Sequence, residues 1–274
     1  TTDYVGGVPL STVTEYFYNN PLHYQPTSQK TTFPNSSVLE NHYQYAHEKG
    51  NQYLQEKNMI GIPLETETTK TANGATKTIS KTETVYPTND IEANLKSTGL
   101  PLPYSILQKD LKDGTMIPKF EYKYDISGNI IQYTLNPDEN GDGTSVAIIW
   151  GYKRTQPIAK IEGATMPNQI LAKITDIPQN LIDPIVSASD DDADYGTEAS
   201  ENALLAALDD FRTDAQLSGF QITTYTYDPL IGVRSITPPS GIREYYNYDA
   251  ANRLKEVKDI NGNMLKEYQY HYKP

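Results

Sequence analysis

The chain of 274 residues contains no cysteine. That excludes a disulfide framework and any thiolate metal site. Histidine is scarce: His23, His42, His47 and His271 are all there is. His42 and His47 stand five apart, which suits neither one helix face nor one strand face. His271 alternates out of phase with Tyr270 and Tyr272. Histidine-based metal or nucleophile constellations therefore have few members to draw on. There is no phosphate-cradling glycine loop. No apolar run is long enough to cross a membrane as a helix. The opening residues, TTDYVGGVPLSTV, carry no secretory leader and read as the middle of a longer protein. Positive charge is also short. The net charge is −12, and no basic patch is available to neutralise phosphates, so nucleic acid is not an expected partner.

The charge is uneven. Between Asp183 and Asp214 stand ten acids and one base, Arg212, so this segment carries −9 of the −12. Its densest part, Asp190, Asp191, Asp192 and Asp194, reads as a solvated loop, because adjacent carboxylates repel one another.

Phenylalanine is sparse (5) and tryptophan nearly absent (1), against 22 tyrosines. Ordinary strand propensity does not favour Tyr over Phe so strongly. A tyrosine ring packs while its hydroxyl finds water or a partner, which suits a sheet with both faces partly wet.

The tyrosines are patterned. Tyr225 and Tyr227, Tyr246 and Tyr248, and Tyr268 and Tyr270 each stand two apart, as do Tyr122 and Tyr124 further upstream. Spacing of two places both rings on one face of a strand. Asp follows in three of the four pairs, and Gly128, Gly232 and Gly262 punctuate the segments between. Asp and Gly are turn formers. Counted from the second tyrosine, the last three copies are 21 and 22 residues apart, the length of one hairpin with its turns.

These features predict an all-β chain, an antiparallel hairpin meander forming an extended or curved sheet, with one helical insertion. Four segments are expected. Residues 1–103 are an irregular β segment, with a hairpin around Asn73-Gly74 in 62–86 and a loop with one helical turn in 87–103. Residues 104–162 hold five strands. Residues 163–219 are an acidic loop and a helix over 196–219, with Leu204, Leu208, Phe211 and Ala215 on one face and Gly219 as its stop. Residues 220–274 return to hairpins.

With those residues in view, the chain resembles the RHS, or YD (tyrosine-aspartate), repeat proteins, in the form found toward the C-terminus of Bacteroidetes members. Tyr246, Tyr248, Asp249, Arg253, Leu254, Asp259 and Gly262 match that pattern, with Asn252 where glycine is usual. Tyr225, Tyr227, Asp228 and Gly232 match with one extra residue. Tyr122, Tyr124, Asp125, Gly128 and Asn129 match its first half. The resemblance implies a large exported protein, secreted or at the cell surface, whose hairpins spiral into a broad sheet. In some members the sheet closes into a shell around a toxic domain. Catalytic residues do not belong to the repeat, and none is carried over. No self-cleaving segment of the toxin-loaded kind is recognised, and the chain ends two residues past Tyr272. The expectation is a non-enzymatic scaffold. Its partners would be the rest of a longer chain or another surface or export protein. The alternatives are an adhesin-like module for glycan or protein, and part of a toxin-delivery shell.

One motif suggests a ligand. Asp138, Asn140 and Asp142, followed by Gly143, space their oxygens as the opening of a calcium loop does. The closing acid is missing, since Ile149 holds its place. A polar hairpin turn uses the same residue types.

Overall fold

The computed structural model describes residues 2–5, 8–163 and 174–271. Tyr272 and residues 164–173 of the expected insertion lie outside the described residues. The chain divides into two compact units: residues 1–128 with 135–141, and residues 129–134 with 142–274. Within each, strand order follows chain order and neighbouring strands run antiparallel. The meander read from the sequence is the fold.

The first unit opens with a separate hairpin, β1 (Thr2–Val5) and β2 (Val8–Ser11). Next come β3 (Val13–Phe17), β4 (Ser28–Thr32) and β5 (Val38–Gln44). The short helix α1 (Gln52–Glu56) is followed by β6 (Glu65–Ala72) and β7 (Ala75–Val85). Helix α2 (Asp90–Ser97), β8 (Ser105–Lys109) and β9 (Met116–Tyr124) complete the series.

Threonine explains why the β6–β7 hairpin holds without a core. Thr66 faces Thr82, Thr69 faces Thr78 and Thr71 faces Thr76, the last pair with hydroxyls 2.7 Å apart. β-Branched cross-strand pairs each contribute about 0.2–1 kcal/mol. Asn73 and Gly74 turn the chain at φ 53° and 75°, the left-handed pair that a two-residue hairpin loop requires. Over 87–103 the structure has more helix than the single turn expected. Asn89 caps α2 by accepting from Glu92 N–H, and Asp90 and Glu92 sit at its positive end. A small cluster of Ala46, Tyr53, Leu54, Leu64 and Ala93 lies beneath the two helices.

The second unit holds β10 (Ile130–Leu135, whose last residue belongs to the first unit), β11 (Thr144–Gly151) and β12 (Gln156–Glu162). Helices α3 (Gln179–Tyr195) and α4 (Glu198–Thr213) follow. The meander resumes with β13 (Gln221–Asp228), β14 (Gly232–Thr237), β15 (Glu244–Tyr248), β16 (Leu254–Asp259) and β17 (Met264–Glu267). Glu162 pairs with Gln221, so the helical segment leaves from one strand and returns on its neighbour without breaking the ladder. Its helices cover the unit's main core, built on Ile158, Ile161, Leu204, Leu208, Phe211 and Leu217.

Two expectations for the insertion are corrected. The acidic run 190–194 is not a loop but the last turns of α3. The expected helix over 196–219 is shorter. Thr197 caps it through a reciprocal box with Ser200, and it ends at Thr213. Leu204, Leu208 and Phe211 are buried as expected, while exposed Ala215 falls in a 3-10 turn and Leu217 takes its place in the core.

Candidate functional site

The repeat tyrosines do two different jobs. The second of each pair stands at or just past the end of its strand and donates its hydroxyl to a main-chain carbonyl near the start of the preceding strand. Tyr124 reaches Pro103 O at 2.5 Å, Tyr227 reaches Pro157 O at 2.9 Å, and Tyr248 reaches Val233 O at 2.9 Å. Tyr270 reaches Leu254 O at 2.8 Å. Tyr45, paired with Tyr43, does the same to Pro26 O at 2.8 Å. Each bond closes the end of an antiparallel pair, where the ladder runs out of N–H donors. In three of the five the acceptor is a proline carbonyl. Phenylalanine would fill the space and leave that carbonyl without its partner, which explains tyrosine at these five positions. Burial pushes the Tyr124 hydroxyl up to about 12, and burial raises Tyr227 further still. These groups stay protonated donors at neutral pH.

In two of the pairs the first tyrosine packs by its ring. Tyr122 stands 6.2 Å from Phe120 and 6.4 Å from Tyr124, and Tyr225 stands 6.5 Å from Tyr227. Tyr246 donates to Glu244 at 3.0 Å, and burial together with that carboxylate raises it to about 12. Tyr268 is exposed and continues the β17 ladder through its N–H to Lys255 O.

The aspartates make one turn repeatedly. Asp125, Asp249 and Asp259 accept from the N–H two residues on, at 2.8, 2.8 and 2.9 Å. Their carbonyls accept from the N–H three residues on, at Gly128, Asn252 and Gly262, all with positive φ. Asn252 tolerates φ 58°, as Asn does more readily than other side chains. At Asp228 the same two bonds go to Leu230 and Ile231, and the glycine falls one place later at Gly232, φ 151°. A Cβ there would meet the Tyr248 hydroxyl at 2.8 Å, so this glycine clears the way for the next repeat's tyrosine. Asp249 also takes Arg253 Nε at 2.8 Å, and Arg253, through its side chain and its N–H, holds that carboxyl at about 2. The Arg253 guanidinium lies 4.5 Å over the Tyr270 ring, while Leu254 gives its carbonyl to the same residue.

Asp138 belongs to this series. It accepts from Asn140 N–H at 2.8 Å, and its carbonyl accepts from Gly141 N–H at 3.0 Å, with Gly141 at φ 76°. Asp138 and Asn140 fall in the first unit and Asp142 in the second. Among the described residues no group of three or more His, Asp or Glu is arranged to hold a metal ion.

Sequence reading missed two sites. One is the turn between β11 and β12, where Tyr152, Lys153 and Arg154 all have positive φ (49°, 56° and 65°). Three such residues in a row are strained, at roughly 1 kcal/mol or more each. Helix α3 holds them. Ser189 Oγ accepts from Tyr152 N–H at 3.1 Å, and Asp190 accepts from Lys153 N–H at 2.6 Å. Asp194 pairs with the Lys153 ammonium. Buried Asp192 takes the Tyr152 hydroxyl at 3.0 Å and the Ser200 hydroxyl at 2.7 Å. Tyr152 Oη in turn accepts Tyr227 N–H at 2.9 Å, tying the clamp to the repeat. The acidic run therefore has structural partners that its own sequence does not reveal.

The other missed site is His23, which is buried. Its Nδ1 accepts Gln25 N–H at 3.0 Å and its Nε2 stands 2.9 Å from Glu48. Both ring nitrogens are thus engaged within the protein. Two shallow clefts of 220 and 440 Å³ adjoin on the first unit and share Lys119 and Asn136, which bond each other at 3.2 Å. The larger is lined by Lys119, Asn136, Asp138 and Glu139 beside Ile117, Pro118 and Pro137.

No family model matches the sequence, and no curated protein does. Solved structures do. A crystal structure of TcdB2-TccC3 with Cdc42 covers 97% of this chain at TM-score 0.41 and 14% identity. The Photorhabdus luminescens Tc holotoxin pore covers 89% at TM-score 0.35 and 14% identity. This chain spans only 12% of each of those chains. A porin-like protein from Bacteroides uniformis covers 88% of this chain, and 88% of its own length, at TM-score 0.22 and 13% identity.

Proposed function

We propose that this chain is a non-enzymatic scaffold segment of a large exported YD-repeat protein, secreted or at the cell surface. One observation carries the reading: the side chains that recur in the repeat are engaged in holding neighbouring strands together. The second tyrosines close strand pairs, the aspartates build turns, and Gly232 makes room for a tyrosine. Further partners would be the rest of a longer chain or another exported protein. Calcium is not required by this reading, because the Asp138 turn is the repeat's own turn.

Two measurements test it. An antibody raised against the chain is expected to label intact source cells or their medium, and signal confined to broken cells would contradict export. Titration with millimolar calcium is expected to give no heat that Asp142→Ala removes. A heat lost in that variant would favour the adhesin-like, calcium-stiffened alternative.

A further inference from the structure

Asn-Gly occurs three times, at Asn73-Gly74, Asn140-Gly141 and Asn261-Gly262. All three stand in turns with the asparagine exposed. We propose that Asn73 is a site of spontaneous main-chain-assisted deamidation, and that the turn aspartates protect the other two.

The chemistry needs only water. The Gly74 amide nitrogen loses its proton to solvent base and attacks Asn73 Cγ. The new N–Cγ bond forms, the Cγ–Nδ2 bond breaks, and ammonia leaves. The resulting cyclic imide is opened by water at either carbonyl, giving aspartate or isoaspartate. The attack requires a free glycine N–H and an asparagine able to rotate toward it.

The three sites differ in just those respects. Gly141 N–H is bound to Asp138 O, and Gly262 N–H to Asp259 O, both at 3.0 Å. Asn140 and Asn261 are fixed too, their own N–H groups held by Asp138 and Asp259 carboxylates at 2.8 and 2.9 Å. Gly74, in the two-residue loop between β6 and β7, donates no hydrogen bond among those described. Nothing lies within 4 Å of where its Cβ would be, and residues 73–77 are all exposed. Asn73 must leave φ 53° to react, which disturbs only the tip of the hairpin. Isoaspartate there would add a methylene to the main chain of a loop whose geometry depends on its two-residue length. It would also place a carboxylate at the end of the hairpin in which Lys70 and Lys77 face each other.

The test is tryptic mapping of the whole chain after incubation in mildly alkaline buffer. The three sites fall in separate peptides, 71–77, 124–153 and 259–266. Asn73 is expected to convert first, with Asn140 and Asn261 roughly tenfold slower, since two further hydrogen bonds must break at each. Equal rates, or no conversion at Asn73, would overturn the proposal. Asp259→Ala is expected to speed Asn261 alone, and an unchanged rate would remove the protective role of the turn. If that variant unfolded, the ratio of sites within the unaltered chain would still decide.

Discussion

At the scale of single residues, tyrosine rather than phenylalanine at Tyr45, Tyr124, Tyr227, Tyr248 and Tyr270 has a specific cause. Each hydroxyl satisfies a part-buried or exposed carbonyl near the start of the preceding strand, and a hydrogen bond of this kind contributes about 0.5–1.5 kcal/mol. Tyrosine supplies the donor from its ring. The spacing of Tyr225 and Tyr227, or of Tyr246 and Tyr248, was legible in the sequence, and so was their association with Asp and Gly. The division of labour between the two rings was not. Register also shifts just before the closing tyrosine, between Thr226 and Tyr227 and between Asn247 and Tyr248. Gly232 is the sharpest test at this scale. Gly232→Ala would set a methyl against the Tyr248 hydroxyl at 2.8 Å and hold alanine at φ 151°. We expect a stability loss of roughly 2 kcal/mol or more in denaturant unfolding. Gly241→Ala (φ 80°, nothing within 4 Å) serves as the control for backbone strain without the clash.

At the scale of elements, the hairpins could be read locally because their determinants are local: Asn73-Gly74 for one turn, Asp-x-x-Gly for others. Helix α3 could not. Its acids read as mutually repelling, and the groups that compensate them lie on other elements, at Tyr152 and Lys153 far back in the chain and at Ser200 on α4. Close approach of the helix depends on Gly151, where a Cβ would fall 2.1 Å from Ser189 Oγ and 2.8 Å from Ile158 Cγ2. Gly151→Ala should therefore loosen α3 from β11. The expected sign is faster amide exchange across 185–195 with little change in the β15–β16 ladder. Unchanged protection of α3 would show that the clamp is not what seats it. Helix α4 brings Glu201 into the interior, where burial raises its carboxyl, the Arg234 guanidinium opposes the rise and Asp192 adds to it.

At the scale of the whole molecule, raised tyrosines set a pH limit. Tyr104, Tyr124 and Tyr246 rise to about 12 from 10.0, and burial raises Tyr45, Tyr122, Tyr152, Tyr225, Tyr227 and Tyr248 in the same direction. In each the native state holds its proton more tightly than the unfolded chain. Stability is therefore fully present below pH 10 and is lost as pH rises from 10 toward 12. The folded fraction followed by circular dichroism should fall across that window. A chain unaffected at pH 12 would mean that the buried hydroxyls contribute nothing to the fold.

The central claim is that the second tyrosine of a pair works through its hydroxyl, and that in two of the pairs the first works through its ring. Two matched pairs isolate it: Tyr225 and Tyr227 on β13, and Tyr122 and Tyr124 on β9. The measurement is chemical denaturation of the four single Tyr→Phe variants. The account predicts losses of about 1–2 kcal/mol for Tyr124→Phe and Tyr227→Phe. For Tyr122→Phe and Tyr225→Phe it predicts changes within about 0.5 kcal/mol. Equal effects within each pair, or none at Tyr124 and Tyr227, would contradict it.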